Sequence, residues 1–271
     1  MSTDQKTIDA YDKHARSWAD SKQDIKDSIS IFHVFLEKPA LYGKLPNLKG
    51  KSVLCVGCGS GEEVEHLKSH GAEKVVGIDI SSGLIEIAKK NYPNLEFHTM
   101  DAEKLDFPKE SFDVVFSSLT MHYLESWTKA LEGMYEVLKP NGECIFSITH
   151  PFFSATKKHE DEKVKSRTFG YREHKESHTC EVTGDYLNPK KVEVCIGKDL
   201  VVTNYHRPLS IIMKEIVSSG FEVVDIVEPK ALDESKKDNP IFWEVHQKIP
   251  EFMIFELMKI NDKPPDFSGV Q

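Results

Sequence analysis

The sequence has no long apolar run, and no window approaches the about 20 residues that a membrane helix needs, so membrane insertion is not expected. Its first residues, MSTDQKTIDAYDKH, lack the apolar stretch of a secretory leader, which makes the cytoplasm the expected location. Cysteine is scarce. The five (Cys55, Cys58, Cys144, Cys180 and Cys195) are odd in number and widely spread, which argues for reduced thiols rather than a disulfide framework. Positive charge is in deficit, with 35 Lys and Arg against 44 Asp and Glu, a formal charge of -9. Such a chain repels phosphate backbones, so nucleic acid is not an expected partner. Internal repeats and low-complexity tracts are also missing. What remains is 271 residues with 39% hydrophobic content, enough to bury the core of one large domain carrying a sizeable insertion.

Texture divides the chain into four stretches. Residues 1–50 are polar and helix-prone, with Ala10, Tyr11, His14, Ala15 and Trp18 at helical spacing, and they read as a helical cover. From 51 to 150, short β-branched runs (SVLCVG, KVVGID, LEFHTM, FDVVFSS, ECIFSIT) alternate with helical segments near 61–70, 82–91 and 126–138. That alternation is the pattern of parallel βαβ units, and near-continuous apolar strands imply a sheet covered on both faces. Residues 151–207 break the pattern. They are rich in Lys, His, Glu and Asp, and EVTGDYL with KVEVCIGKDLVVTNY predicts a small antiparallel hairpin turning at Asn188-Pro189 and Gly197-Lys198-Asp199. This insertion is either a plain surface excursion or, the favoured reading, a lid over a site, because loops at the strand ends of such sheets carry ligand contacts. Residues 208–271 complete the core with the helix LSIIMKEIVSSG and the strands FEVVDIVEP and EFMIFELMK.

The most informative stretch is Val53-Leu-Cys-Val-Gly57-Cys-Gly59-Ser-Gly61, three glycines between a strand and a helix. Absent side chains allow a sharp turn and close approach of a ligand to the backbone, and the helix start adds free N–H donors. A dinucleotide loop needs its third glycine at 62, where this chain has Glu62, and no Gly-Lys-Ser/Thr follows as in a phosphate-cradling loop. The loop therefore suits a nucleoside ligand without phosphates. The next strand ends at Asp79, at the spacing of a ribose-binding acid, unless that residue merely caps the following helix, a task open to Ser81 or Ser82. The strand after it ends at Asp101, where an adenine amino group could donate.

These motifs resemble those of the class I S-adenosylmethionine-dependent methyltransferases, in particular the small-molecule branch similar to ubiquinone- and menaquinone-biosynthesis enzymes. The residues that carry the resemblance are VLCVGCGSG, VVGIDIS, MDAEKLDFP, FDVVFSSLTMHYL and the Lys-Pro-Asn-Gly turn at 139–142. Leu84 departs conservatively from the Met usual in the family. The resemblance implies an α/β, Rossmann-like, doubly wound seven-stranded sheet of order 3-2-1-4-5-7-6, strand 7 antiparallel, with the insertion as a small antiparallel cap. It implies that Gly57, Cys58, Gly59 and Gly61 approach the methionine moiety. By the same resemblance Asp79 binds the ribose, Ile80 flanks adenine, and Asp101 and Ala102 hold its edge. Ser117 and Ser118 would line the floor below the sulfonium, with Tyr11 touching the methionine carboxylate.

Cys55 and Cys58 form a C-x-x-C inside the strand and loop, a weak redox signal, and His174, His178 and Cys180 lack a fourth ligand, so no metal is expected. His122 and His150 end the fourth and fifth strand regions and are the general-base candidates, useful only where the acceptor must lose a proton. Tyr123, Tyr205, His206 and Arg207 are candidates to face substrate. After the fourth strand the chain reads Ser-Ser-Leu-Thr-Met-His rather than Asn/Asp-Pro-Pro-Tyr, which turns the expectation from DNA to a small organic acceptor methylated on O, N or C. A catalytically silent S-adenosylmethionine-binding regulator is the alternative. The expected partners are the small-molecule acceptor and, as an open option, a second copy of the chain.

Overall fold

The computed structural model describes residues 3–21, 28–160, 164–196 and 199–260. The amino-terminal stretch forms α1 (Gln5–Ser21), α2 (Ser28–Phe32), a π-helical turn (His33–Glu37) and α3 (Lys38–Tyr42). Then β1 (Ser52–Val56), α4 (Glu62–Ser69), β2 (Lys74–Asp79), α5 (Ser82–Asn91), β3 (Glu96–Thr99), β4 (Phe112–Ser117), a 3-10 turn (Met121–Tyr123), α6 (Thr128–Val137) and β5 (Leu138–Thr149) follow the expected alternation. The period of two decides which face each side chain serves. Leu54, Val56, Val76 and Ile78 join Leu131 and Met134 of α6 on one face. Val53, Cys55 and Val75 join Val64 and Leu67 of α4 and Ile85 of α5 on the other. Each such buried side chain contributes roughly 1.5–3 kcal/mol, which is why a strand apolar at every position is stable only between two helical layers.

The insertion contains α7 (Pro151–Ala155) and six strands: β6 (Lys157–Glu160), β7 (Lys165–Thr168), β8 (Gly170–His174), β9 (Thr179–Thr183), β10 (Lys190–Ile196) and β11 (Leu200–His206). They pair as three antiparallel hairpins where the sequence suggested one. EVTGDYL is strand only as far as Thr183, because Gly184 takes φ 86 and turns the chain away. The expected turn at 197–199 falls partly outside the described residues, as do Asp161, Glu162 and Lys163 of the charged run that begins at Lys157.

The chain closes with α8 (Leu209–Ser218), β12 (Phe221–Val227), α9 (Ser235–Asp238), α10 (Pro240–His246) and β13 (Phe252–Lys259). The main sheet has the order β3-β2-β1-β4-β5-β13-β12, with β13 antiparallel to both β5 and β12. This is the expected seven-stranded order. Two details differ. The Lys139–Gly142 turn does not precede β5 but is folded into it, with Asn141 at φ 60 and a register shift against β4. The short helices α9 and α10 were not anticipated, although Asn239 capping Phe242 N–H at 2.9 Å and Pro240 at the first helical position are ordinary start signals. Among the described residues no helix is long and apolar enough to cross a membrane.

Candidate functional site

The turn after β1 is held by Gly57 and Cys58, whose N–H groups both donate to Ile78 O at 2.8 and 2.9 Å. Gly57 sits at φ 70, and a Cβ on it would lie 2.0 Å from Thr120 Oγ1. Gly61 starts α4 at φ 98, and a Cβ there would lie 2.9 Å from Tyr92 and 3.0 Å from Phe97. Both glycines are therefore required by geometry, but for different neighbours. Gly57 lines the large cavity at the strand ends, whereas Cys58, Gly59 and Gly61 do not. Cys58 is fully buried, and Gly61 serves helix packing.

Asp79 organises the loop. Its Oδ2 accepts Gly59 N–H and its Oδ1 accepts Ser81 N–H, both at 2.9 Å. The cap of α5 is Ser81, whose Oγ accepts Leu84 N–H at 3.2 Å, so Asp79 is not needed for that task. Asp79, Ile80, Asp101, Ala102 and Ser118 all line the same cavity as Gly57. Asp101 Oδ1 accepts Glu103 N–H at 3.0 Å, which fixes the loop after β3. Helix α1 lies over this end, with Thr7, Tyr11 and Trp18 in the lining. The Tyr11 hydroxyl is 2.7 Å from that of Tyr123, and burial, then the nearby Tyr123, push the Tyr11 phenol well above its ordinary pKa. Asp12 Oδ1 accepts from Ser81 Oγ at 2.6 Å and Gly83 N–H at 3.0 Å, latching α1 to the start of α5. On its other side, Thr7 Oγ1 accepts Thr203 N–H of β11 at 2.9 Å.

The cavity measures about 1580 Å³ and continues past this end into a chamber walled by Phe152, Phe153, Phe169, Phe242 and Phe252. Its cationic lining residues, Lys157, Lys158, Arg167 and Lys248, come from the insertion and from the segment before β13, not from the ends of β1, β2 and β3. Among the described residues the strand-end region thus offers carboxylate acceptors and apolar flanks with no cation for a phosphate. That donor and acceptor set fits the diol and the uncharged linkage of S-adenosylmethionine.

Several expected site residues are used elsewhere. Ser117 is fully buried and absent from the cavity lining, so it forms no floor there. His150 also lies off the cavity. Its Nδ1 accepts Phe152 N–H at 3.0 Å as the cap of α7, and its Nε2 faces Glu228 at 2.8 Å. With both nitrogens engaged it has no lone pair for a substrate proton. Tyr205, His206 and Arg207 are buried beside the cavity rather than in it. His206 joins Ser154 Oγ at 2.7 Å to Tyr186 O at 2.9 Å. Arg207 donates to Leu124 O and to Glu125 O, holding the loop after the 3-10 turn, and lies 4.8 Å over the Trp127 ring. His122 and Tyr123 do line the cavity. Burial, with the Arg207 cation adding to it, pushes the His122 imidazole down to about 3. Its Nδ1 accepts Thr149 N–H at 3.4 Å, so Nε2 carries the ring proton and offers a donor rather than a base.

Sequence reasoning missed three contributors. Thr120 fills the space above Gly57, and Asp12 is the α1 latch. The third is Glu37, fully buried, whose Oε1 accepts from Ser118 Oγ at 2.9 Å and Ser147 Oγ at 2.5 Å while Oε2 lies 3.4 Å from His33 Nδ1. An acid inside the apolar run IFHVFLEKPAL was the available signal.

Residues 54–146 match a family described as "Methyltransferase domain". An uncharacterized protein of Haemophilus influenzae is 28% identical over 242 residues, 86% of this chain and 90% of that protein. A demethylmenaquinone methyltransferase of Chlorobaculum parvum is 35% identical over 96 residues, which span 35% of this chain and 39% of that enzyme. The solved S-adenosylmethionine-dependent methyltransferase of Mesorhizobium loti shares the fold at a TM-score of 0.67 and 24% identity, over 82% of this chain and 96% of that one. The domain match falls on the glycine loop and the acidic strand ends that face the cavity, and residues 54–146 are a methyltransferase domain of the class I S-adenosylmethionine-dependent kind.

Proposed function

We propose that this methyltransferase acts on a small organic acceptor with a flat apolar body and an acidic group, held under the inserted cap. The observation that carries the reading is the continuity of one cavity from Gly57, Asp79 and Asp101 into an aromatic chamber rimmed by Lys157, Lys158 and Arg167. Aromatic walls suit a ring, and cations at the edge suit a carboxylate. The matching methyltransferase relative aligns only with the cofactor-binding third, so the acceptor is argued from the chamber itself.

In this reading Gly57 approaches the methionine moiety, Asp79 takes the ribose hydroxyls, and Ile80 and Ala102 flank adenine while Asp101 accepts from its amino group. Tyr11 and Tyr123 close the boundary between the two halves. Residues 1–50 act as a cover and residues 151–207 as a lid, on a core made of 51–150 and 208–271. When bound, S-adenosylmethionine supplies a methyl group already activated by positively charged sulfur. The chain then has to align the accepting atom and exclude water, an effect of roughly 7–11 kcal/mol. His122 serves as a neutral hydrogen-bond donor to the acceptor. No observation favours a catalytically silent role.

The test is release of S-adenosylhomocysteine over a panel of aromatic acids, neutral phenols and amines, with Arg167→Ala alongside. Turnover of acids that weakens at least tenfold in Arg167→Ala supports the reading. Turnover of neutral acceptors alone contradicts it.

A further inference from the structure

We infer that His33, oriented by Glu37, is the general base of this enzyme and that the accepting atom is a hydroxyl oxygen. The inference rests on the acceptor reading above. His33 and Glu37 bound the π-helical turn, a geometry found often where a helix serves a site. His33 lines the cavity, whereas Glu37 lies beneath it, fully buried. A buried carboxylate is a weak source of stability, and it persists only where donors satisfy it. Here the donors are Ser118 Oγ, Ser147 Oγ and His33 Nδ1. Ser147 Oγ also accepts Leu119 N–H at 3.0 Å, so its own proton is directed to Glu37.

The consequence for His33 is chemical. A carboxylate facing Nδ1 orients the ring, holds the ring proton on that side and leaves the lone pair on Nε2. Location supports the role. Through Glu37 the imidazole is tied to Ser118, two residues before the Thr120 side chain that sits over Gly57. His33, Gly57, Ser118 and Thr120 line one cavity, and Phe32 and Phe242 pack in the same cluster as Leu36 of the π turn.

The other histidines at the site are less suited. His122 presents a donor at Nε2, and His150 and His206 have both nitrogens engaged. His246 also lines the cavity, but its Nδ1 faces only a carbonyl, Ile249 O at 3.4 Å, and burial lowers its basicity among Phe32 and Phe242.

In the step, the acceptor oxygen forms a bond to the methyl carbon as the carbon–sulfur bond breaks, sulfur keeping that electron pair. The hydroxyl proton passes to His33 Nε2, and the resulting imidazolium loses it to water after product leaves. An amine acceptor would not need this base before attack, whereas a hydroxyl is a poor nucleophile until its proton has somewhere to go.

Two measurements test this on the full chain. The first is a long-range ¹H–¹⁵N spectrum of the S-adenosylhomocysteine complex, with His33→Gln assigning the resonance. Protonated Nδ1 with bare Nε2 is expected, shifting toward mixed tautomers in Glu37→Gln. A proton on Nε2 overturns the inference. The second is turnover with 3,4-dihydroxybenzoate, caffeate and matched aromatic amines. His33→Gln should lower kcat on the hydroxylated acids by ~10²–10⁴-fold while leaving the KM for S-adenosylmethionine within roughly threefold. Retained kcat, turnover of amines alone, or no turnover of any hydroxylated acid overturns it. Undiminished affinity for S-adenosylhomocysteine in that last case leaves the methyltransferase reading standing, and lost affinity in the wild type strikes the family reading itself. His33→Gln, at a partly exposed position, keeps the test decisive if Glu37→Gln fails to fold.

Discussion

Gly57 holds a backbone that L-residues adopt at a cost of about 1–2 kcal/mol, and Thr120 stands where its side chain would begin. Gly57→Ala should therefore cost more than strain alone, because Thr120 must move and carry its loop with it. At least a tenfold loss of S-adenosylhomocysteine affinity is expected by calorimetry, and wild-type affinity would contradict the close approach. Asp79→Ala removes the acceptor proposed for the ribose and also releases Gly59 N–H and Ser81 N–H. It should weaken that affinity by ~1.5–3 kcal/mol; an unchanged dissociation constant would exclude the ribose role. Gly57 and Asp79 were legible in the sequence because strand-end spacing fixes where the backbone delivers them. His150, His206 and Arg207 were not, since residue type says what chemistry is possible but not which neighbour consumes it. In each case a helix cap, a carbonyl or a loop took the polar atoms first.

Among the elements, α1 is the piece that covers the cavity and is tied to two different neighbours. Asp12 ties it to α5, and Thr7 ties it to β11. Asp12→Ala should cost about 1 kcal/mol and lower Tm by roughly 2–4 °C, with faster amide exchange confined to 5–21. Unchanged exchange there would refute the latch. The cap invites a larger test. Replacing 157–198 by a short Gly/Ser loop removes one wall of the aromatic chamber but nothing at Gly57, Asp79 or Asp101. Turnover should vanish while S-adenosylhomocysteine still binds, and surviving turnover would refute a lid. The core strands and helices were readable because hydrophobic period, β-branched runs and glycine punctuation agree there. The cap was read only in outline. Its strands β8 and β9 are almost wholly exposed, so burial does not impose there the alternation that marks a strand in sequence. Helix α10 is short enough that its cap, rather than periodicity, was the only signal, and the shorter α9 lacks a side-chain cap.

For the whole molecule, histidines wholly or partly withdrawn from water contribute to the response to acid. His66, His122, His150, His206 and His246 all have pKa values lowered, with burial the leading cause in each. Unfolded, such groups titrate near ~6.5, so below that pH the unfolded chain binds protons that the folded chain refuses, and stability falls as pH falls. Above it they contribute no slope. His122, held down to about 3, alone accounts for about 1.4 kcal/mol per pH unit across that window. The denaturation midpoint should drop between about pH 7.5 and pH 5, and a flat profile would contradict the buried neutral imidazoles. The molecule as a whole is a sheet whose strand ends converge on one cavity, and that convergence carries every later step of the proposal. Calorimetric titration of the full chain tests it most directly. S-adenosylhomocysteine should bind at one site per chain with measurable heat while NADH gives none, and absence of heat at millimolar S-adenosylhomocysteine with folded protein, or binding of NADH in its place, would contradict the account.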